Sequence, residues 1–390
     1  MSDASQTSLA YVEVTNFGDI PTSTPTLQEI PFSSESLKQT NQTKRSANIN
    51  PSGRANQSIR TGYEGGGDIS ADFVHGDFDD FIRYSMRAAS WSSEVTDTDT
   101  VYSMANADNS INRSSGSFIT DGFTQYGFAK ISGFTDAANN GYFRIVSVAA
   151  TKMVLAGQTV ADEAAGDTVT ITQGAQIVDG VTLQPVAFEK RFKSNTNDFV
   201  RYSGVVGRFQ LQTAKENQLT ASFQVVAQRE QSASATFGDG SNTADSGNEV
   251  LNSVDHVVAI LENGVAHDAN SINFTIDPKV EGRKFIGSPG NTSVRKGDFE
   301  CGGDFEILYK DSTGVIVANK ALNFTTSNLS FVVEDSAGNG YVFWFPAVKI
   351  TNAERVAGGQ NQDVVLKCQW GAEESTSEDA VVRIVRFPAP

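Results

Sequence analysis

Apolar and polar side chains alternate with period two along much of this chain, the spacing that turns one strand face inward and leaves the other in water. The clearest short case is Asp68-Ile69-Ser70-Ala71-Asp72-Phe73. Segments 205–212 and 218–226 predict a long hairpin with Phe209, Leu211, Leu219, Ala221 and Phe223 facing inward. Further strands are predicted at 256–262, 271–276, 305–310, 329–334, 341–350, 363–370 and 381–387. One helix stands out over 77–87. Asp77 is placed to cap it, Asp79 and Asp80 suit the positive end of its dipole, and Phe78, Phe81, Ile82 and Ser85 share a face.

The first 57 residues are polar, with Ile30 and Phe32 positioned to begin a strand and 38–57 reading as a long loop or arm. Such a segment buries too little apolar area to fold alone, so a neighbour must order it. Residues 118–185 read as a small separate unit, with short strands at 128–131, 142–148, 152–155 and 167–172 divided by Asn139-Asn140-Gly141 and other glycine turns. About 70 residues is near the lower limit for an independent core, so an insertion braced on the main body is expected. No tandem repeat of fixed period is visible, which argues against a solenoid or propeller.

Composition agrees with a mainly β reading. Phe (25) far outnumbers Trp (3) and Met (4), and Gly (34) supplies tight turns. A net charge of −16 and a pI near 4.6 disfavour a surface that grips nucleic acid or anionic membrane, because phosphate neutralisation needs clustered Lys and Arg. Solubility at high concentration is the plainer account of the same acidity. The two cysteines, Cys301 and Cys368, lie in strand-like segments and read as buried reduced thiols. Residues 1–10 lack a signal-peptide pattern, and no apolar run approaches the roughly 20 residues of a membrane helix, so a chain made and folded in a cytoplasm is expected.

No catalytic constellation emerges. His75, His256 and His267 each lie within two residues of an aspartate, but neighbours on a strand such as Asp255 and His256 point to opposite faces. Zinc spacings of the HExxH or CxxC kind are absent, as is a nucleophile elbow. Gly65-Gly66-Gly67 precedes a strand pattern rather than a helix, so it reads as a bulge or close backbone approach and not a phosphate cradle. The loop from Gly238 to Glu249 offers oxygen ligands without EF-hand spacing and reads as a surface loop. No enzyme, cofactor or metal is expected.

Several segments resemble one family. TPTLQEIPFSSESLKQ (24–39), IRTGYEGGGDISADFVHGDFDDFI (59–82), GFAKISGFTDAANNGYFRIVSV (127–148), FVRYSGVVGRFQLQ (199–212) and RKGDFECGGDFEILYKDS (295–312) look like the tail tube proteins of siphophages, in order and over most of the chain. The resemblance implies a β-sandwich with a flanking short helix. Its strands would join a ring-shaped barrel, with hexameric rings stacked into a tube for DNA ejection. It divides the chain into a tube domain at 1–117 and 186–390 and an outward insertion at 118–185. The implied partners are other copies of the chain, the tape measure, tail tip and tail terminator proteins, and double-stranded DNA in passage only, with no membrane. The implied place is the virion tail, assembled in the host cytoplasm.

A conduit that lets DNA slide should offer few phosphate contacts, so the polar face of the strands is the expected lumen lining. The candidates are Asp68, Ser70 and Asp72; Gln210 and Gln212 with Thr220, Ser222 and Gln224; and Asp298 and Glu300 with Asp304 and Glu306. Arg208 breaks this trend, so it must pair with an acid or the register differs there. An ordinary solvated face accounts for the same pattern. An adhesive or carbohydrate-binding β module is the competing function, distinguished by clustered exposed aromatics where this chain turns Phe inward.

Overall fold

The computed structural model describes residues 6–192 and 198–389, and the protein is mainly β. Its body contains the same arrangement twice. The first block comprises β1 (Thr7–Glu13), β2 (Lys38–Arg45), β3 (Ser58–Asp72), helix α1 (Asp79–Ser85), β4 (Pro185–Phe192), β5 (Phe199–Ala214) and β6 (Thr220–Ala233). The second comprises β7 (Val257–Glu262), β8 (Ala269–Asp277), β9 (Glu300–Leu308), helix α2 (Asp311–Asn323), β10 (Thr326–Glu334), β11 (Gly340–Ala357) and β12 (Val364–Ala372). In the first block the antiparallel order is β1-β4-β5-β6-β3-β2. In the second it is β7-β10-β11-β12-β9-β8, the same order with the same element in each place. Each helix packs on the long strand of its block, α1 on β5 and α2 on β11.

Only a short stretch of sequence records this duplication. Glu64-Gly65-Gly66-Gly67-Asp68 on β3 and Glu300-Cys301-Gly302-Gly303-Asp304 on β9 occupy the same position. Asp68 lies opposite Gln224 and Asp304 opposite Gln369. A Cβ on Gly67 would stand 2.5 Å from the Ser36 carbonyl, and one on Gly303 would stand 2.0 Å from the Asn273 carbonyl. Close backbone approach therefore requires glycine at both positions.

The blocks join edge to edge. Beyond Val206-Gly207-Arg208, the end of β5 leaves β4 and pairs with β8, from Phe209 opposite Ile276 to Ala214 opposite Ser271. This creates one antiparallel run, β2-β3-β6-β5-β8-β9-β12-β11, eight strands across. Alternation sends Phe209, Leu211, Leu219, Ala221 and Phe223 into the core as expected, together with Phe274, Phe305 and Cys368 from the second block. Phe343 sits among the rings of Phe73, Phe209, Phe274, Phe331 and Tyr341, at centroid distances of 5.1–6.5 Å, and so packs both blocks together.

Helix α1 is shorter than the predicted 77–87, and its buried face is the predicted one. Asp77 does not cap it, because its carboxylate accepts the Ser246 backbone N–H at 2.6 Å instead. Asp79 accepts the Tyr341 hydroxyl at 2.5 Å and pairs with Arg386, tying the helix to the second block. Helix α2 falls where no helix was predicted. Gly314 and the β-branched Val315, Ile316 and Val317 are weak helix formers, and of its apolar residues only Val317 and Ala318 are buried. The expected loop at 38–57 likewise contains strand β2. Its sequence, Lys-Gln-Thr-Asn-Gln-Thr-Lys-Arg, has no apolar alternation, so backbone pairing with β3 alone makes it a strand.

Between α1 and β4 a second sheet of seven strands forms its own unit around Tyr102, Phe118, Phe143, Ile145 and Ile171. It runs from Val95–Asp99 to Val169–Gln173, not from 118 to 185. Its first strand, Val-Thr-Asp-Thr-Asp, carries one apolar residue and is recognisable only from its pairing with 169–173. Past Gln173, Ala175–Val178 already pairs with β13 (Arg383–Phe387) in the large sheet. Phe128 and Tyr142 brace the unit on Val342, Trp344, Val385 and Phe387 of the body.

Replacing Phe343 by Ala should destabilise the protein by about 3–5 kcal/mol, the range for removing a fully buried aromatic ring. A urea titration checks this as a lower midpoint at unchanged slope.

Candidate functional surface

The eight-strand run has one face in the core, so period two places every second side chain on the other face. There the blocks form continuous cross-strand rows. One row reads Asp72, Thr220, Gln212, Asn273, Asp304, Gln369 and Asn352, each opposite the next on the neighbouring strand. A second begins Ser70, Ser222, Gln210 and Thr275, and a third joins Ser271, Glu306, Lys367 and Glu354.

Polar side chains bond along these rows. Ser70 and Ser222 hydroxyls meet at 3.3 Å, Gln210 donates to Asn273 at 2.9 Å, and Asn273 donates to Asp304 at 3.1 Å. Asn270 donates to Glu306 at 2.9 Å. The cations on the face are matched by acids: Arg208 lies 3.6 Å from Asp68, and Lys367 lies 3.3 Å from Glu306. Both arms of the expectation hold at Arg208: it pairs with Asp68, and a bulge shifts the register against β6 between Val206 and Phe209. The net result is a hydrated face of amides, hydroxyls and carboxylates.

The structure brings Asp68, Ser70, Asp72, Gln210, Gln212, Thr220, Ser222, Gln224, Asp304 and Glu306 onto this one face. Glu300 continues the alternation at the start of β9, where Lys279 pairs with it at 2.9 Å. Asp298 does not belong to it. It lies in the segment before β9, where its charge acts on Arg87, whose guanidinium donates to the Gly297 carbonyl at 3.0 Å. Asn273, Thr275, Lys367, Gln369, Asn352 and Glu354 complete the face. Their alternation with Phe274, Ile276, Cys368 and Trp370 was readable, but nothing local told which strands would lie side by side.

Among the described residues no group of three or more His, Cys, Asp or Glu is arranged to hold a metal ion. His75 is buried against Tyr341, with ring centroids 4.6 Å apart, and burial lowers its pKa. His256 Nδ1 accepts the Asn252 N–H at 3.0 Å, and its Nε2 lies 3.3 Å from Glu249, so its ring braces a turn. Asp239 in the 238–249 loop accepts from the Thr26 hydroxyl at 2.6 Å and the Ser241 N–H at 2.8 Å.

Both cysteines are free and buried, and burial raises both thiol pKa values, that of Cys368 to about 12. The thiolate is the reactive form, so neither should react quickly at pH 8 in the folded chain. A disulfide-exchange chromophore should count no fast thiol in the native protein and two in guanidinium. A Gln212→Cys variant should add one fast thiol, and Leu211→Cys none.

A family model described as phage tail tube protein matches residues 4–372. No curated protein matches the chain.

Proposed function

The chain belongs to the phage tail tube protein family, a structural component of the virion tail that assembles with itself into a tube, and we propose that its copies close into stacked rings whose bore conducts DNA. The observation that carries this reading is the unbroken polar face of the eight-strand run. A ring that turned this face inward would line the bore with Asp68, Ser70, Asp72, Gln210, Gln212, Thr220, Ser222, Gln224, Asp304 and Glu306. Carboxylates and amides there hydrate the wall and repel phosphates over about a Debye length, roughly 8 Å at physiological salt. DNA then passes without the counterion-releasing contacts that would hold it.

The same orientation puts the helices and the inserted unit on the outside. Two hairpins serve the axial contacts. One is formed by β2 and β3, with Ile49 at its tip 95% exposed; the other by Glu281–Arg283 and Ser293–Arg295, with Phe285 62% exposed. They occupy equivalent places in the two blocks and touch through Tyr63 N–H and the Pro289 carbonyl at 2.7 Å. Apolar tips on polar hairpins are suited to seating in the next ring. A tape measure, a tip complex and a terminator would set the tube's length and ends, with assembly in the host cytoplasm.

The purified chain should form hollow tubes or stacked rings in negative-stain electron microscopy, alone or on isolated tail tips. Monomers that persist with tips present would overturn the proposal. Replacing Asp68, Asp72, Asp304 and Glu306 together by Lys should leave tubes intact and stall DNA ejection. Unchanged infectivity of such a phage would remove the lumen assignment.

A further inference from the structure

The positive charge of this acidic chain is concentrated in its two hairpins. Residues 38–63, which contain β2 and the start of β3, hold five Lys or Arg and no Asp or Glu. Residues 279–296, around the hairpin of Glu281–Arg283 and Ser293–Arg295, hold five cations and one acid. These nine net positive charges leave −25 on the rest of a chain whose total is −16. Among the described residues no carboxylate pairs with the exposed Lys44, Arg45, Arg54, Arg60 or Arg283, although Lys284 pairs with Glu64 at 2.7 Å. Phe285 and Ile286 follow Arg283 and Lys284 at the second tip, and both are exposed.

The far end of the same strands has the complementary character. Ala214 lies opposite Ser271, so β8 begins beside the turn between β5 and β6. A cleft of about 290 Å³ opens there between 213–216, 253–257 and 269–272, lined by Val254, Val257, Ile260 and Ile272. Val254 is exposed at its mouth. Glu216 and Asp255 are exposed beside it, and no cation pairs with either among the described residues. Of the cations at this end, Lys215 lines the cleft and Lys310 pairs with Asp268.

We infer that Phe285 and Ile286 of one copy seat in this cleft of the copy stacked on it, with Arg283 and Lys284 meeting Glu216 and Asp255. The hairpin prolongs β8 and β9 at one end, where the Gly297 N–H donates to the Lys279 carbonyl at 3.0 Å. The cleft stands at the other end of β8, so a shift of one copy along that strand brings tip to cleft. A contact between unlike ends repeats without limit, as a filament requires.

Charge gives the stack its direction. Basic tips of free copies repel one another, so an exposed apolar pair does not draw them together tip to tip. The acidic end accepts what the basic end rejects. Stacking also takes the hairpin cations out of play, which leaves them unable to grip phosphates of passing DNA.

This inference rests on the ring proposal, and its test separates the two. Wild-type tubes should separate into rings in 1 M salt, where the screening length falls to about 3 Å, and re-form on dilution. Tubes that persist unchanged would overturn the ionic pairing. Arg283→Glu with Lys284→Glu should raise the concentration needed for stacking at least about tenfold, read by sedimentation. Adding Glu216→Lys with Asp255→Lys should restore it. Stacking indifferent to these swaps would overturn the inference, whereas wild-type chain that forms no rings even on tail tips would overturn the ring reading instead. Should a swapped chain misfold, Ile286→Cys with Val254→Cys, treated with a short thiol cross-linker in assembled tubes, decides. A covalent ladder is expected, and monomers on a denaturing gel would overturn the seat. Retention of a short DNA duplex by free wild-type chain at physiological salt, lost in the double Glu variant, would assign the hairpins to nucleic acid and overturn the proposal.

Discussion

The backbone pairing of Phe209–Ala214 with Ser271–Ile276 is the contact on which the rest of this protein depends. Each block alone would end in an open strand edge on either side. Pairing of β5 with β8 hides one edge from each block and merges two sheets into one. It also aligns their pleats, so that core residues stay on one face across the seam. A slip of one residue would send Phe274 and Ile276 into water and Asn273 into the core, so the register is strongly specified. The continuous rows of polar side chains are the direct result of that alignment.

The core reinforces the seam from the other side. Phe343 contacts rings from both blocks, and the Asp79 carboxylate takes the Tyr341 hydroxyl and the Arg386 guanidinium. A buried hydroxyl left without its acceptor would cost about 1–3 kcal/mol, so these bonds fix α1 against the second block as well as its own. The inserted unit has a separate core and meets the body through Phe128 and Tyr142 and through the ion pairs Lys130–Glu334 and Arg144–Glu378. It decorates the fold without helping to close it, and a tube member tolerates such growth only on a surface that no neighbour needs.

In a tail tube the contact between neighbouring units must be repeatable around a closed path, which is a heterologous contact with a rotation that closes. Two blocks in one chain already contain one example of such a contact, at the β5–β8 seam. In the proposed conduit the acidic face would need no specific contact with DNA, because repulsion and hydration would suffice to keep it moving.

Much of this was determined by local sequence. Period-two alternation is a relation between adjacent residues, so it showed which side chains of β3, β5 and β6 face inward before any partner was known. The same holds for the buried face of α1 and for the glycines at 65–67, whose close backbone approach was expected from their place before a strand. What only the tertiary structure decided is which strand lies beside which. Strand β2 is wholly polar, and the Val95–Asp99 strand has a single apolar residue; both exist because a neighbour's backbone takes up their hydrogen bonds, which leaves no mark in their own side chains. Helix α2 exists because β11 covers Val317 and Ala318, against its own propensity. The family was legible from five short segments in order. The duplication was not, because the two blocks share a strand order and little more than Glu-x-Gly-Gly-Asp, and hydrogen bonds between backbones do not depend on which side chains they carry.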